Sequence, residues 1–447
     1  MKFRNQILLP TLSLVGVLAL TACDTTQVYK STTTNGSTEQ SAKTISKKKL
    51  DSPEFYVVSN KADGNSIYRF ASGDEGHYSI LGEYNTGGVG TGDLEVPALQ
   101  KDETHPLANG DDPLISAYAL SATADGKHIV VVNPGNATVS LMEIKEDGTA
   151  ISVNTAQATD KFPISVAIHD EYVVVASVGE DNMKGSIGLF KIINGKLYSI
   201  ENGRRDLKAR PSTVRFSSNG KFLIVDELVT GKIKSFSVID GVLSNNPVST
   251  IDSPKAEGRF QAIPVGLDLK PGLNGDILIV SEARFLDTEF GLREGDGSVI
   301  QSPLYSWQTG SLSSYKLASD GQLSLISGDV LTGQSIEGGE IANCWVVLSP
   351  DGKTLWAANA LSSSISSFNI SDDGTATIKN VTAYKDDSEE LFFSDLSVSS
   401  DGQTLYQLIG NKGKVAIFDI LPNDDLELRQ MVGGMPELGT YGLQIMP

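Results

Sequence analysis

The chain has 447 residues, 40% of them apolar, and carries 55 acidic against 36 basic side chains for a formal charge of −19. A surface this acidic repels nucleic acid and other polyanions, so those partners are excluded. Two cysteines are too few for a disulfide scaffold, and a chain of this length can bury an adequate core without one.

Lys2 and Arg4 open the chain, an apolar run follows from Ile7 to Leu20, and Leu20-Thr21-Ala22-Cys23 closes it. This reads as an export signal. It resembles a bacterial lipoprotein signal, which implies that Cys23 is acylated and becomes the first residue of the mature protein. An ordinary secretory signal and an uncleaved anchor are the alternatives, although the apolar run is short for a bilayer. Asp24 resembles the inner-membrane retention mark of enteric bacteria, and the periplasmic faces of both the inner and the outer membrane stay open. Cleavage before Cys23 removes two basic residues and no acidic one, leaving 34 against 55, or −21. With Cys23 lipidated, Cys344 is the remaining thiol and no intramolecular disulfide can form. Residues 23–52 are rich in Ser, Thr and Lys and predict a solvated, disordered tether. Its Lys47-Lys48-Lys49 run is either solubilising or a contact for anionic headgroups. The domains are thus a signal at 1–22, a tether at 23–52 and a folded body at 53–447.

The body is all-β. Asp125-Gly126, Asn219-Gly220, Asn274-Gly275, Asp351-Gly352 and Asp401-Gly402 each separate two short apolar, β-prone runs. Such dipeptides accept the positive φ of tight reversals, so each marks a hairpin. A third strand and a second turn of the same kind follow at Asp147-Gly148, Asn194-Gly195, Asp240-Gly241, Asp320-Gly321 and Asp373-Gly374. Four strands per roughly fifty-residue unit is the signature of a propeller blade. Blade two covers about 115–158, three 162–206, four 211–252, five 262–330, six 343–385 and seven 393–431. Residues 55–84 supply three strands and 440–445 a lone one. Together they predict a seven-bladed β-propeller whose first blade is closed by both chain ends, which abolishes the open sheet edge. Two insertions break the period, at 85–113 and 284–303.

In this geometry the loops leading into the innermost strands share a face with the turns between second and third strands. His77, His128 and His169 fall elsewhere, and only His105 belongs to that face. Aligning the blades at the end of the second strand groups Asn60, Asn133, Ala176, Glu227, Glu282, Asn359 and Ile409. Asn suits such a place because its side chain bonds nearby turn backbone. The two Glu of adjacent blades are then expected side by side at one mouth of the channel, where paired carboxylates can divide acid and base roles. The Asn and Glu oxygens also suit a hard cation such as calcium, the one cofactor these residues point to. Turn carboxylates facing solvent are the plainer reading. Arg210 and Arg284 stand nearby and suit a carboxylate or an oxyanion, or simply the neighbouring glutamates. Cys344 and Trp345 open the innermost strand of blade six, where a buried thiol is most simply core. The sequence holds no His/Cys metal cluster, phosphate loop or Gly-x-Ser-x-Gly elbow.

Asp112-Pro113-Leu114-Ile115-Ser116, the stretch Ser121 to Asn133, Phe162-Pro163-Ile164-Ser165-Val166, Thr332-Gly333-Gln334 and Asn343-Cys344-Trp345-Val346-Val347-Leu348-Ser349-Pro350-Asp351-Gly352 resemble the bacterial β-propeller lactonase-like family. That family is related to propeller-type 6-phosphogluconolactonase and carboxymuconate cyclase, and the resemblance runs from Phe55 to the end. It implies lactone hydrolysis or closure, with His, Arg and Glu working at the channel mouth. The matching positions are His105, Arg210, Glu227, Glu282 and Arg284. A phosphorylated sugar lactone is a cytosolic metabolite, whereas this chain carries an export signal, so the expected substrate is a small non-phosphorylated lactone. The competing expectation is a non-catalytic platform on a lipid tether, binding protein or glycan partners of the envelope through its two insertions.

Overall fold

The computed structural model describes residues 53–73, 76–92, 116–180, 184–285, 307–336, 338–389, 391–437 and 439–447. The signal, Cys23, the tether, His105 and most of both insertions lie outside the described residues. Among the described residues no helix is long and apolar enough to cross a membrane.

The repeated turn chemistry produces seven antiparallel sheets, each an up-and-down meander. Their innermost strands are Leu120–Ala122, Pro163–His169, Pro211–Phe216, Gln261–Gly272, Asn343–Leu348 and Phe393–Val398 for blades two to seven, and Tyr441–Ile445 for blade one. Blade four carries one extra short strand, Val242–Leu243. The predicted closure is present: Tyr441–Ile445 pairs antiparallel with Phe55–Val58, followed outward by Ser66–Ser72 and Tyr78–Asn85. The architecture is the expected seven-bladed β-propeller.

The hairpins joining first and second strands show why Asp-Gly and Asn-Gly recur. Gly126, Gly220, Gly352 and Gly402 all have φ near +67 or +68°, while the Asp or Asn before each does not have positive φ. The carboxylate or amide oxygen instead accepts from the amide two residues on and from the Ser or Thr hydroxyl two residues back, as Asp351 does from Lys353 and Ser349. Each turn is therefore a Ser/Thr-x-Asp/Asn-Gly unit with glycine at the left-handed position, and four residues lie between the pair that closes it, such as Ser349 and Thr354. Between blades, alternating apolar positions interlock. Blades three and four share a cluster that includes Val174, Ile187, Val214, Leu223 and Phe236.

Ser116-Ala117-Tyr118, just before the innermost strand of blade two, crosses the central axis. Ser116 donates to Ile164 O at 2.9 Å and its carbonyl accepts from Trp345 Nε1 at 2.7 Å. Ala117 N donates to Thr213 Oγ1 at 3.1 Å, and its carbonyl accepts from Ser165 Oγ at 2.7 Å. Tyr118 N donates to Asp395 Oδ1 at 3.2 Å while its hydroxyl donates to Leu267 O at 3.1 Å. These three residues thus bond blades three, four, five, six and seven. The backbone of Tyr118 sits at φ +65°, a left-handed conformation that costs a non-glycine residue on the order of 1 kcal/mol, sustained because so many bonds fix it.

Candidate active site at the mouth of blades four and five

The blades share a register. In blades three, four, six and seven the residue opening the innermost strand pairs with the residue ending the second, Pro163 with Ser177, Pro211 with Glu227, Asn343 with Asn359 and Phe393 with Ile409, and in blade five, whose strands run three residues further, the corresponding pair is Pro264 with Glu282. In blade three the equivalent position is therefore Ser177, one residue after Ala176, which pairs with Ser165 past the bulge and packs in the core.

At this position Asn133 and Asn359 make the same bonds. Each Nδ2 donates to hydroxyls five and seven residues on: Thr138 and Ser140 for Asn133, Ser364 and Ser366 for Asn359. Asn133 Oδ1 also accepts from Asn65 and from Thr86, which pins the start of the first insertion. Glu227 shares one of these two spacings, with different chemistry. Its Oε1 pairs with Lys234, again seven residues on, and its Oε2 accepts from the Thr230 hydroxyl at 2.6 Å. The carboxylate is 1% exposed, Lys234 15%, so the pair is nearly desolvated.

Glu282 is fully buried and pairs with Arg284, two residues along the same strand. Its Oε2 also accepts from Ser311 at 2.7 Å. Arg284 lies within the second strand of blade five, Gly275–Phe285, and is itself fully buried. Its guanidinium continues to Asp329 at 3.0 Å and to the carbonyl of Pro254 at 2.8 Å. Arg259 grips Asp329 from the other side at 3.0 Å and donates to Thr309 O at 2.7 Å. Burial by itself would raise the Asp329 carboxyl, but the two guanidinium groups hold it below its ordinary value. Two cations and two anions thus fasten segment 254–261, which leads into blade five, against the rest of the blade. Glu227 and Glu282 each find a cation within their own blade: Arg284, which the sequence offers as a partner for the neighbouring glutamates, holds Glu282, and Lys234, outside the predicted set, holds Glu227. Arg210, which opens onto the innermost strand of blade four, is fully buried, and its carbonyl accepts from Leu228 N.

Thr230 connects this buried chemistry to solvent. It lines a cleft of about 310 Å³ between blades four and five, together with Asp252, Lys255 and Gln261. That volume is at the lower end for small-molecule sites. A larger cleft of about 520 Å³ lies at the rim of blade three, but the Arg204 guanidinium there is engaged by Asp160 and Asp206. Among the described residues no group of three or more His, Cys, Asp or Glu side chains is placed to hold a metal ion.

Two further acids line the inner strands. Asp395 accepts from Tyr118 N and from Gly442 N at 2.8 Å, and burial pushes its carboxyl up to about 6. Asp226 accepts from Thr213 N at 2.6 Å and Ser212 Oγ at 3.0 Å, and burial raises it well above the usual carboxylate range. Both brace the bulge of an innermost strand. They were detectable in the sequence as acids on β-prone stretches, Asp226 directly after Phe222 to Val225 and Asp395 within Phe393 to Val398. Lys234 was detectable too, since it sits where Ser140 and Ser366 serve their Asn. Nothing in the sequence marks Tyr118 as the residue that crosses the axis. Cys344 is buried, and its carbonyl accepts from Ser281 at 2.6 Å.

No family model matches this chain, and no curated protein matches it in sequence. Solved structures do. A Bacteroides fragilis protein assigned as a 6-phosphogluconolactonase is 18% identical with a TM-score of 0.59, over 90% of this chain and 99% of that one. The periplasmic gluconolactonase of Pseudomonas aeruginosa is 15% identical with a TM-score of 0.59, over 89% and 100%. A hypothetical selenium-binding protein of Sulfolobus tokodaii reaches the same TM-score at 10% identity, over 89% and 94%. The neighbours include propeller-type lactonases, as the sequence resemblance implied, and at these identities the likeness is one of fold.

Proposed function

We propose that this protein is an exported, lipid-anchored propeller that hydrolyses a small, non-phosphorylated lactone in the cleft between blades four and five. The observation that carries the reading is the Thr230 hydroxyl, bonded at 2.6 Å to a desolvated carboxylate, Glu227, and lining a cleft of small-molecule size. The fold supports it, because propeller lactonases align over essentially their whole length with this chain.

In this mechanism water attacks the lactone carbonyl and loses its proton through Thr230 to Glu227. Lys234 pairs with the other carboxylate oxygen and so orients Glu227 toward Thr230. The Lys255 ammonium in the cleft wall faces the negative charge that develops on the carbonyl oxygen. The ring C–O bond then breaks, the alkoxide takes up the proton, and a hydroxy acid leaves as its carboxylate with release of one proton to solvent. Glu282, Arg284 and Arg210 are positioning residues here, since they are fully buried and fix the strands that carry the cleft.

A pH-indicator screen against aliphatic, aromatic and sugar lactones tests this, with the Glu227→Gln, Glu282→Gln double variant alongside. Acid release by the wild type, abolished in a variant that remains folded, is expected. Silence across the panel, or undiminished turnover in the variant, would overturn it.

A further inference from the structure

The two faces of the propeller differ in what they expose. On the hairpin face, opposite the cleft, three adjacent blades present aliphatic side chains to solvent. Leu273 is fully exposed at the tip of the blade-five hairpin. Ile239 and Val242 flank the Asp240-Gly241 turn of blade four and are about two-thirds exposed, at 65% and 67%. Ile193 begins the corresponding turn of blade three and is 45% exposed. Scattered exposed aliphatics are ordinary, but an arc of them on the turns of consecutive blades is not.

The blade-five hairpin is built to hold its tip out. Six residues separate the paired Lys270 and Ile277, against four between Ser217 and Phe222 in blade four. Its Asp276 carboxylate accepts from Ser218 N at 2.7 Å and from the Ser218 hydroxyl, tying it to the blade-four hairpin. An apolar residue held out on a braced turn has no function in the monomer's own packing.

The chain enters the propeller on this same face. Glu54 O accepts from Met446 N at 2.9 Å, and Pro447 packs against Gly126 in the blade-two hairpin. The preceding residues 23–52 are those read as a lipid tether. We propose that the arc Ile193, Ile239, Val242 and Leu273 docks on the bilayer that the tether reaches. The aliphatic tips insert at the headgroup boundary, and the cleft of blades four and five faces away from the membrane. Acidic Asp240 and Asp276 and basic Lys196 stand on the same turns, so insertion is driven by apolar burial and not by attraction to anionic lipid. The proposal rests on the tether reading and is independent of the lactone chemistry.

All seven sheets close within residues 53–447, so the propeller can be tested on its own. A domain beginning at Asp51, held through an N-terminal hexahistidine on nickel-chelating lipid vesicles, replaces the natural anchor and separates docking from lipidation. An environment-sensitive dye is placed at Asn274→Cys beside the tip, or at Leu361→Cys on the opposite face. The vesicles are phosphatidylcholine with nitroxide-labelled acyl chains. Quenching at least threefold stronger at 274 than at 361, lost when Val242→Asp and Leu273→Asp are added, is expected. Equal quenching at both sites would overturn the proposal. So would a dimer in sedimentation equilibrium that the same two substitutions dissociate, because the arc would then cover a second copy of the chain.

Discussion

Asn133 in blade two and Glu282 in blade five occupy one aligned place in the repeat, on the second strand, yet they hold it in opposite ways. Asn133 is neutral and matches all its capacity with neutral partners, Asn65, Thr86, Thr138 and Ser140. Glu282 brings a charge into the same buried position and so requires Arg284, which in turn requires Asp329, which engages Arg259. One substitution in the repeat has recruited a chain of three more charged residues. Glu227 is intermediate, since one cation, Lys234, and one hydroxyl satisfy it and leave the hydroxyl facing a cleft. A departure from a repeat is therefore informative in proportion to what it drags with it, and the departure with an exit to solvent is the one suited to chemistry.

The contrast can be broken most severely at Arg284. Arg284→Met strands Glu282 in the core and is expected to cost about 3–5 kcal/mol in chemical denaturation, while adding Glu282→Leu recovers at least half of it. A small loss in the single variant would show that the network does not hold blade five. The next largest effect concerns pH. Asp395 is raised from its ordinary value to about 6, so the folded state holds its proton more tightly than the unfolded chain. Its favourable contribution is complete below about pH 4 and is lost as pH rises through about 6, an effect of up to roughly 3 kcal/mol. Urea midpoints from pH 4 to 8 are expected to shift in favour of Asp395→Asn, relative to wild type, as pH rises. A constant difference would contradict the assignment.

Asn133→Ala removes a neutral hub and is expected to cost about 1–3 kcal/mol, less than Arg284→Met, because no charge is left behind. Equal losses at the two sites would erase the distinction drawn between them. At the small end, Glu180→Gln removes a surface partner of Lys161 at 3.2 Å and is expected to change stability by under about 0.5 kcal/mol.

The propeller was legible because its turns are chemical rather than statistical. Ser/Thr-x-Asp/Asn-Gly specifies a bond pattern and a left-handed glycine, and a motif repeated in four blades fixes the register of all of them. Glu227 and Glu282 were legible as exceptions at an aligned position. Arg284 was offered as a partner for the neighbouring glutamates and does hold Glu282, whereas Lys234 was not, because the alignment locates a Cα and says nothing of where a long side chain finds its counter-charge. Arg284 read as the start of an insertion and is instead a buried strand residue, since blade five extends its second strand beyond those of its neighbours. Tyr118 escaped notice for a different reason: the segment Ser116-Ala117-Tyr118 crosses the axis through bonds to five other blades, and such long-range closure leaves no local pattern.

The central claim is that the Glu227–Thr230 pair works on substrate while the Glu282–Arg284 pair holds structure. The most direct test is kcat/KM for the best lactone of the panel with Thr230→Val, which removes the hydroxyl between carboxylate and cleft at nearly constant volume. A loss of about 100-fold or more with an unchanged urea midpoint is the predicted result. Wild-type kcat/KM in a folded Thr230→Val protein would contradict it.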